Sequence, residues 1–326
     1  MTAISRTSGK YSAKSILESF GIGIALLLLI VFFSVTTEHF LSSNNITNIL
    51  SQVTINLILA IGMTFVILIG GIDLSVGSVM AFAAVVAGKA ISMEGFGPAE
   101  LITVAIIAGL AAGFICGLLN GVITAYWALP SFIVTLGMLN IARGAALHIT
   151  DARTIYSFPF AFEEFGSLLF YGVPVVFLVA LALVFIAWIV LTRTVFGRIL
   201  YAIGNNEEAV RLAGHRVFRY KVAAYTICGL TAGIAAIVYM ARLNISSPIA
   251  GIGFELNAIA GVIIGGTSLS GGRGSIIGTL LGVFIIGVLA NGLILLGLSD
   301  FMRQMITGVV IIVAVILDHY RAKYAS

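Results

Sequence analysis

Long runs without a charged side chain fill most of this sequence, and they restrict the folds that are open to it. The longest run extends from residue 101 to residue 142. Because about 20 apolar residues cross the hydrocarbon core of a bilayer, such runs predict membrane-spanning helices. Only 9% of the residues are charged, against roughly 25% in soluble domains. We therefore expect an integral membrane protein with little soluble mass.

The uncharged runs divide into about ten predicted helical spans. The run 101–142 is divided at Leu129-Pro130-Ser131, because proline disfavours helix at the preceding residue. The predicted spans are 20–36, 46–70, 74–90, 101–126, 132–147, 173–191, 222–241, 256–269, 275–296 and 302–317. The expected fold class is an all-α membrane protein forming a single transmembrane domain over residues 1–326.

The segment 193–221 is the one long polar interruption, and it carries six of the 17 Lys and Arg residues. Basic residues beside apolar spans stay on the cytoplasmic side, because their translocation is costly. The segment is therefore expected in the cytoplasm. With ten spans, both chain termini, including the N-terminal segment 1–19, are expected on the same side.

This polar segment also predicts a short helix of its own. Asn205-Asn206 can cap a helix N-terminus, and Glu207 and Glu208 then lie in the first turn, where negative charge suits the helix dipole. Arg211 is spaced to pair with either glutamate, and Gly214 follows where a left-handed residue ends a helix. The helix is either a docking element for a soluble partner or a solvated connector.

An internal repeat marks two of the turns between spans. The pattern I-G-G-x-x-L-S-x-G occurs at 69–77 and again at 264–272, an offset of 195 residues. Repeats with glycine-interrupted helices are typical of transporter folds and indicate the substrate path. The ten-span topology makes the two copies parallel. The candidate pathway residues in these turns are Gly71, Asp73, Ser75, Gly266, Thr267, Ser268 and Ser270.

Two ionisable residues lie close to or within the predicted spans. Asp73 is a functional candidate if its turn lies at membrane depth, and a simple cap of the third span if it lies at the cytoplasmic rim. Arg143 is near the outer end of the fifth span, where a long side chain can snorkel to the interface. The sequence leaves both interpretations open.

Glycines at four-residue spacing predict tight helix packing. Gly109, Gly113, Gly117 and Gly121 form one such stripe, and Gly274, Gly278 and Gly282 form another. Small residues at this spacing allow helix backbones to approach closely in lipid. We therefore expect a tightly packed bundle.

Several kinds of chemistry are missing from the sequence. It has no G-x-x-x-x-G-K-[ST] loop for ATP and no H-E-x-x-H metal motif. Cys116 and Cys228 both fall inside apolar runs and are expected to be packing residues. The stretch 270–274 resembles a phosphate cradle, but it joins two spans and is expected to be a tight turn. We expect no catalytic residue, metal, cofactor or nucleic acid in this chain.

Five motifs together resemble one family. They are G-I-D-L-S-V-G-S at Gly71–Ser78, F-I-V-T-L-G-M-L-N-I-A-R-G at Phe132–Gly144, the segment Gly204–Gly214, E-L-N-A-I-A-G-V-I-I-G-G-T-S-L-S-G-G at Glu255–Gly272, and the last span with Asp318. Over nearly its whole length the chain resembles the permease subunits of ribose-type sugar ABC importers, in the branched-chain amino acid/ribose permease superfamily.

The resemblance implies a transport role in a bacterial inner membrane. Two permease copies, identical or related, would form the pathway for a monosaccharide moving from periplasm to cytoplasm. A periplasmic sugar-binding protein would deliver the solute, and a separate cytoplasmic ATPase subunit would bind ATP and Mg²⁺. In such importers a short cytoplasmic permease helix docks into the ATPase.

The same resemblance assigns that docking helix in this chain. Glu208-Ala209-Val210 followed by Gly214 is similar to the family signature E-A-A-x-x-x-G, with Val210 in place of the second alanine and without the later Leu-Pro. The residues assigned to it are Asn206, Glu207, Glu208, Ala209, Arg211 and Gly214.

Other functions remain open at this point. They are an ion-coupled secondary sugar carrier, a scaffold without transport, and an ABC permease for an autoinducer sugar, a nucleoside or a branched-chain amino acid. The resemblance places solute specificity mostly on the separate binding protein, so this chain does not name its sugar.

Overall fold

Helices form nearly all of the regular structure. The structure, a computed structural model, describes residues 13–156 and 158–324, so residues 1–12 of the predicted N-terminal segment lie outside the described residues. The helices are α1 (Ala13–Thr36), α2 (Ser43–Leu68), α3 (Val76–Ile91), α4 (Pro98–Tyr126), α5 (Ser131–Thr150), α6 (Phe160–Ser167), α7 (Val175–Arg193), α8 (Val195–Asn205), α9 (Glu207–Leu212), α10 (Val217–Leu243), α11 (Phe254–Ile264), α12 (Ile276–Leu295) and α13 (Asp300–Tyr324). Short strands are β1 (Ile155–Tyr156), β2 (Leu169–Phe170), β3 (Val173–Pro174) and β4 (Ile245–Ser246).

Each predicted span coincides with a helix. Within the described residues, six helices are long and apolar enough to cross a membrane: α2, α4, α5, α7, α10 and α12. Three further apolar helices are shorter, namely the apolar part of α1, α3 and α11. The prediction of an all-α membrane protein is thus confirmed. The eighth span, predicted at 256–269, is shorter than expected, because α11 ends at Ile264 and Gly266 adopts φ +85°.

Two helices were not predicted. The loop 151–171, between the fifth and sixth predicted spans, contains α6, and the polar segment 193–221 contains α8 ahead of the predicted short helix. The sequence carried a signal for α8, because Thr194 caps it and Ile199, Leu200 and Ile203 form its buried face. Since α10 begins at Val217, the last residues of the polar segment belong to that helix.

The core of the bundle lies around α2 and α10. Most of α2 from Val53 onward is buried, and α10 packs along both α2 and α4. A Cβ added to Gly117 of α4 would lie 2.9 Å from the Cα of Gly229 on α10. The two backbones therefore touch, as the four-residue glycine spacing predicted. The second glycine stripe makes a similar backbone contact, because Gly278 of α12 lies against Gly265 at the end of α11.

The bundle is interrupted between α10 and α11 by residues 244–253, called the extended segment below. Apart from the short pairing of β4 with β1, it has no regular structure. It runs along α3, with Ser246 against Gly88 and Gly251 against Gly77. The helix rise of 1.5 Å per residue makes that stretch of α3 about 16 Å long. That length equals about half of the ~30 Å thickness of a hydrocarbon core.

Candidate functional site

The predicted short helix exists as α9, and its caps are those expected from the sequence. The Asn206 side chain accepts a hydrogen bond from Ala209 N at 2.9 Å, which satisfies one of the unpaired amides of the first turn. At the other end Gly214 has φ +85°, a conformation that a residue without Cβ adopts at little cost. The helix is therefore fixed at both ends by residues of the predicted types.

The two glutamates of α9 form ion pairs with different partners. Glu208 pairs with Arg211, and this carboxylate raises the pKa of the Arg211 guanidinium. Glu207 instead pairs with Lys221 of α10, with an N–O distance of 2.6 Å. The first pair is local to α9, whereas the second ties α9 to the bundle.

α9 projects from the surface between two grooves. One groove, of about 640 Å³, lies between α8 and α9, and the other, of about 650 Å³, lies between α9 and the start of α10. Among the apolar side chains of α9, Val210 is buried, but Leu212 is 80% exposed. An exposed leucine at the tip of a charged ridge gives α9 an apolar contact point that the bundle leaves uncovered.

The end of α8 packs against both repeat turns. We call this contact the junction, and it is formed by Leu68, Tyr201, Gly204, Asn205 and 271–274. Gly272 N donates to Leu68 O at 2.9 Å, so the end of α2 and the second repeat turn meet through backbone atoms. A Cβ added to Gly204 would overlap Leu68 O and Gly272 N. The two repeat copies therefore lie side by side, and the end of α8, which precedes α9, packs against both.

Two side chains of α8 strengthen the junction. Tyr201 donates its hydroxyl to Gly274 O at 2.9 Å, and Asn205 donates to Gly272 O at 3.3 Å. Burial raises the pKa of Tyr201, so the phenol keeps the proton that it donates. Sequence reasoning did not assign Tyr201 or Gly204 to the site, because their partners, Leu68 and 272–274, are distant in the chain.

In the first repeat turn Asp73 is 2% exposed and has only uncharged hydrogen-bond donors among the described residues. Its carboxylate accepts from Ser75 N at 2.8 Å and from Ser75 Oγ at 2.6 Å. Asn120 of α4 donates to the same carboxylate at 3.4 Å. The N-cap of α3 is Ser75, so Asp73 organises the turn that leads into α3 and bonds to none of the amides inside that helix.

The same turn is attached to the start of α5. Ile72 N donates to Ser131 Oγ at 3.0 Å, and Leu74 N donates to Thr135 Oγ1 at 3.1 Å. Gly71 lies under the Tyr225 hydroxyl of α10, where a Cβ would overlap it. The first turn is thus enclosed by α4, α5 and α10.

The second turn is partly open. Thr267 and Ser268 are buried, whereas Gly266 and Ser270 are exposed. Ser268 N donates to Arg273 O at 2.9 Å, which closes the turn on itself. A role of either turn in the solute pathway stays a prediction.

Arg143 does more than snorkel. Its guanidinium donates from one nitrogen to Pro248 O at 2.6 Å and to Ala250 O at 2.8 Å. It therefore pairs with the carbonyls of the extended segment, which has no helix of its own to satisfy them. Helix α5 therefore bonds to irregular backbone at two positions along its length. Ser131 and Thr135 bond to the first repeat turn, and Arg143 bonds to the extended segment.

A bundle of helices long and apolar enough to span a membrane, interrupted by glycine-rich turns in two repeats, defines a multi-pass membrane protein of the transporter class. Comparison with known proteins specifies the family. Residues 45–315 match the family described as "Branched-chain amino acid transport system / permease component". The chain belongs to this family of permease components.

Relatives match over almost the full length. The ribose import permease protein RbsC of Bacillus subtilis is 43% identical over 310 residues, which cover 94% of each chain. RbsC of Escherichia coli is 40% identical over 326 residues, or 98% of this chain and 99% of the relative. The D-allose transport system permease protein AlsC of Escherichia coli is 38% identical over 92% of this chain and 91% of the relative. No solved structure matched.

Proposed function

We propose that this chain is the permease subunit of a ribose-type ABC importer and carries a monosaccharide inward across a bacterial inner membrane. The observation that supports it most strongly is the full-length similarity to ribose import permeases at 40–43% identity. Relatives named for allose and fructose have 38% identity, so we propose the class of solute and leave the sugar itself to the binding protein.

The proposed topology has ten spans in a single domain, with both termini and the segment 193–221 in the cytoplasm. The helices α1 to α5, α7 and α10 to α13 would be the spans. The basic residues of α8 to α10 support this orientation. A second permease copy, identical or related, would complete the pathway, and a periplasmic binding protein would deliver the sugar to it.

α9 would receive the ATPase subunit, which supplies ATP and Mg²⁺ on a separate chain. Its exposed Glu208 and Leu212 form a ridge between two grooves, a shape suited to insertion into a cleft. The residues of the proposed coupling helix are those predicted from the sequence: Asn206, Glu207, Glu208, Ala209, Arg211 and Gly214.

Closure of the ATPase pair on ATP would displace α9 and, through the junction, the ends of both repeats. Nucleotide shifts the equilibrium between inward-open and outward-open states only by its different affinity for the two. The rigid contacts at Gly204 and Gly272 would give α9 a direct mechanical connection to α2, α11 and α12. In this account the glycine-rich turns are the parts of the pathway that move.

The proposal is tested by reconstitution in vesicles. We expect ribose uptake to require the ATPase subunit, ATP and the loaded binding protein together, because the chain has no nucleotide-binding motif. Vesicles that lack only the ATPase subunit are the control. Ribose movement driven by a proton or sodium gradient, with this chain alone, would establish a secondary carrier instead.

A further inference from the structure

The exposed side of α5 carries a polar side chain at mid-span. Asn140 lies near the middle of this helix and is exposed, and Nδ2 donates to Leu136 O of its own helix at 3.0 Å. The amide keeps a further donor and its acceptor oxygen for other partners. In hydrocarbon each unsatisfied polar group costs several kcal/mol. By contrast, the exposed residues in the middle of α7, such as Phe185 and Ile186, are apolar.

The extended segment reaches the same level. Arg143, three residues after Asn140 and therefore on a neighbouring side of α5, bonds to Pro248 O and Ala250 O. Ile249 and Ile252 of this segment are 59% and 68% exposed. Irregular backbone at membrane depth occurs only where it is buried in protein or lines water. Two independent features, an exposed asparagine at mid-span and an exposed irregular segment, thus lie near Arg143.

We propose that this surface, formed by Phe132, Leu136 and Asn140 of α5 with Ile249 and Ile252, is a wall of the water-filled path for the monosaccharide. Phe132, Leu136 and Asn140 are spaced four residues apart and share one side of the helix. Apolar side chains would pack on the carbon face of the sugar, and the Asn140 amide would bond its hydroxyls. This inference rests on the proposed function for the identity of the solute.

The proposed wall consists of other residues than the two repeat turns that the sequence analysis selected. Asp73, Ser75 and Thr267 are at most 2% exposed, so these polar groups of the turns are enclosed in this conformation, whereas Asn140 is exposed. In the sequence, Asn140 is one residue among mostly apolar neighbours in the stretch F-I-V-T-L-G-M-L-N-I-A-R-G. Its exposure appears only when α5 is placed in the bundle.

The test is thiol accessibility in membranes that contain the assembled importer. A charged, membrane-impermeant methanethiosulfonate reagent is applied to Asn140→Cys and to Phe185→Cys on α7. We expect about tenfold faster reaction at Asn140→Cys, because a thiol in water forms thiolate and one in lipid does not. The parent chain gives the background, since Cys116 and Cys228 are buried. The reaction should also block ribose uptake in Asn140→Cys.

Gly137→Cys provides a second position on the exposed side, where an added Cβ meets nothing within 4 Å. It keeps the test decisive if Asn140→Cys fails to insert. Equal, slow reaction at all three positions would place this side of α5 in lipid or in a dry contact with another helix. That result overturns the inference, whereas ATPase-dependent uptake, measured separately on the parent chain, reports on the proposed function.

Discussion

Glu208→Lys and Gly214→Pro are expected to abolish ribose uptake, while both variants still insert into the membrane. Glu208→Lys places a positive charge in the first turn of α9 and beside Arg211, where the dipole and the neighbour both oppose it. Gly214→Pro forces φ to about −65° at a residue that needs +85°, and it removes the Gly214 N–H that donates to Arg211 O at 3.0 Å.

Loss of a central docking contact costs about 2 kcal/mol or more, which corresponds to roughly a 30-fold weaker complex. The measurement is uptake together with co-purification of the ATPase subunit. Glu94→Lys and Gly95→Pro are matched controls, since Glu94 is exposed and Gly95 has φ +88° with open space around it, and both lie on the proposed outer side. Uptake at the parental level in both α9 variants, with the ATPase still bound, would refute the docking role.

Gly204→Val is expected to separate ATP hydrolysis from transport. The branched side chain would collide with Leu68 O and Gly272 N, and backbone atoms cannot rotate away as a flexible side chain can. α8 must then lift off the repeat turns, while the exposed surface of α9 keeps its shape. We expect uptake to fall about tenfold or more with the ATPase subunit still bound and still hydrolysing ATP.

A milder variant distinguishes this effect from misfolding. Tyr201→Phe removes only the hydroxyl that donates to Gly274 O, a bond worth about 1 kcal/mol, so a several-fold fall in uptake per ATP hydrolysed is expected. Gly23→Ala on α1 serves as the control, because an added Cβ meets nothing within 4 Å there. Unchanged coupling in both junction variants would show that α9 acts on the bundle by another route, such as the Glu207–Lys221 pair.

The sequence predicted the parts of this molecule that depend on local physics. Uncharged runs located the spans because a bilayer requires about 20 apolar residues at each crossing. Asn206 and Gly214 located α9 because capping is decided within one turn of the helix. Close packing along α4 followed from its glycine spacing, but the identity of its partner, α10, did not.

Contacts between distant parts of the chain were beyond that reasoning. Leu68, Gly204 and Gly272 meet at the junction although about 70 to 140 residues separate successive members, and no local pattern encodes such a meeting. The role of Arg143 stayed open in the sequence, because its carbonyl partners belong to a segment that hydropathy does not distinguish. The exposure of Leu212 and Asn140 likewise depends on which side chains the fold packs around them, and local sequence does not show this.

The central claim is that α9 faces the cytoplasm and receives the ATPase subunit there. Reaction of Leu212→Cys with an impermeant thiol reagent, in sealed vesicles of known orientation, tests it most directly, because Leu212 is 80% exposed at the tip of α9. The account predicts reaction from the cytoplasmic side only, and about tenfold slower reaction once the ATPase subunit is bound. Reaction from the exterior, or an unchanged rate in the transporting complex, would contradict it.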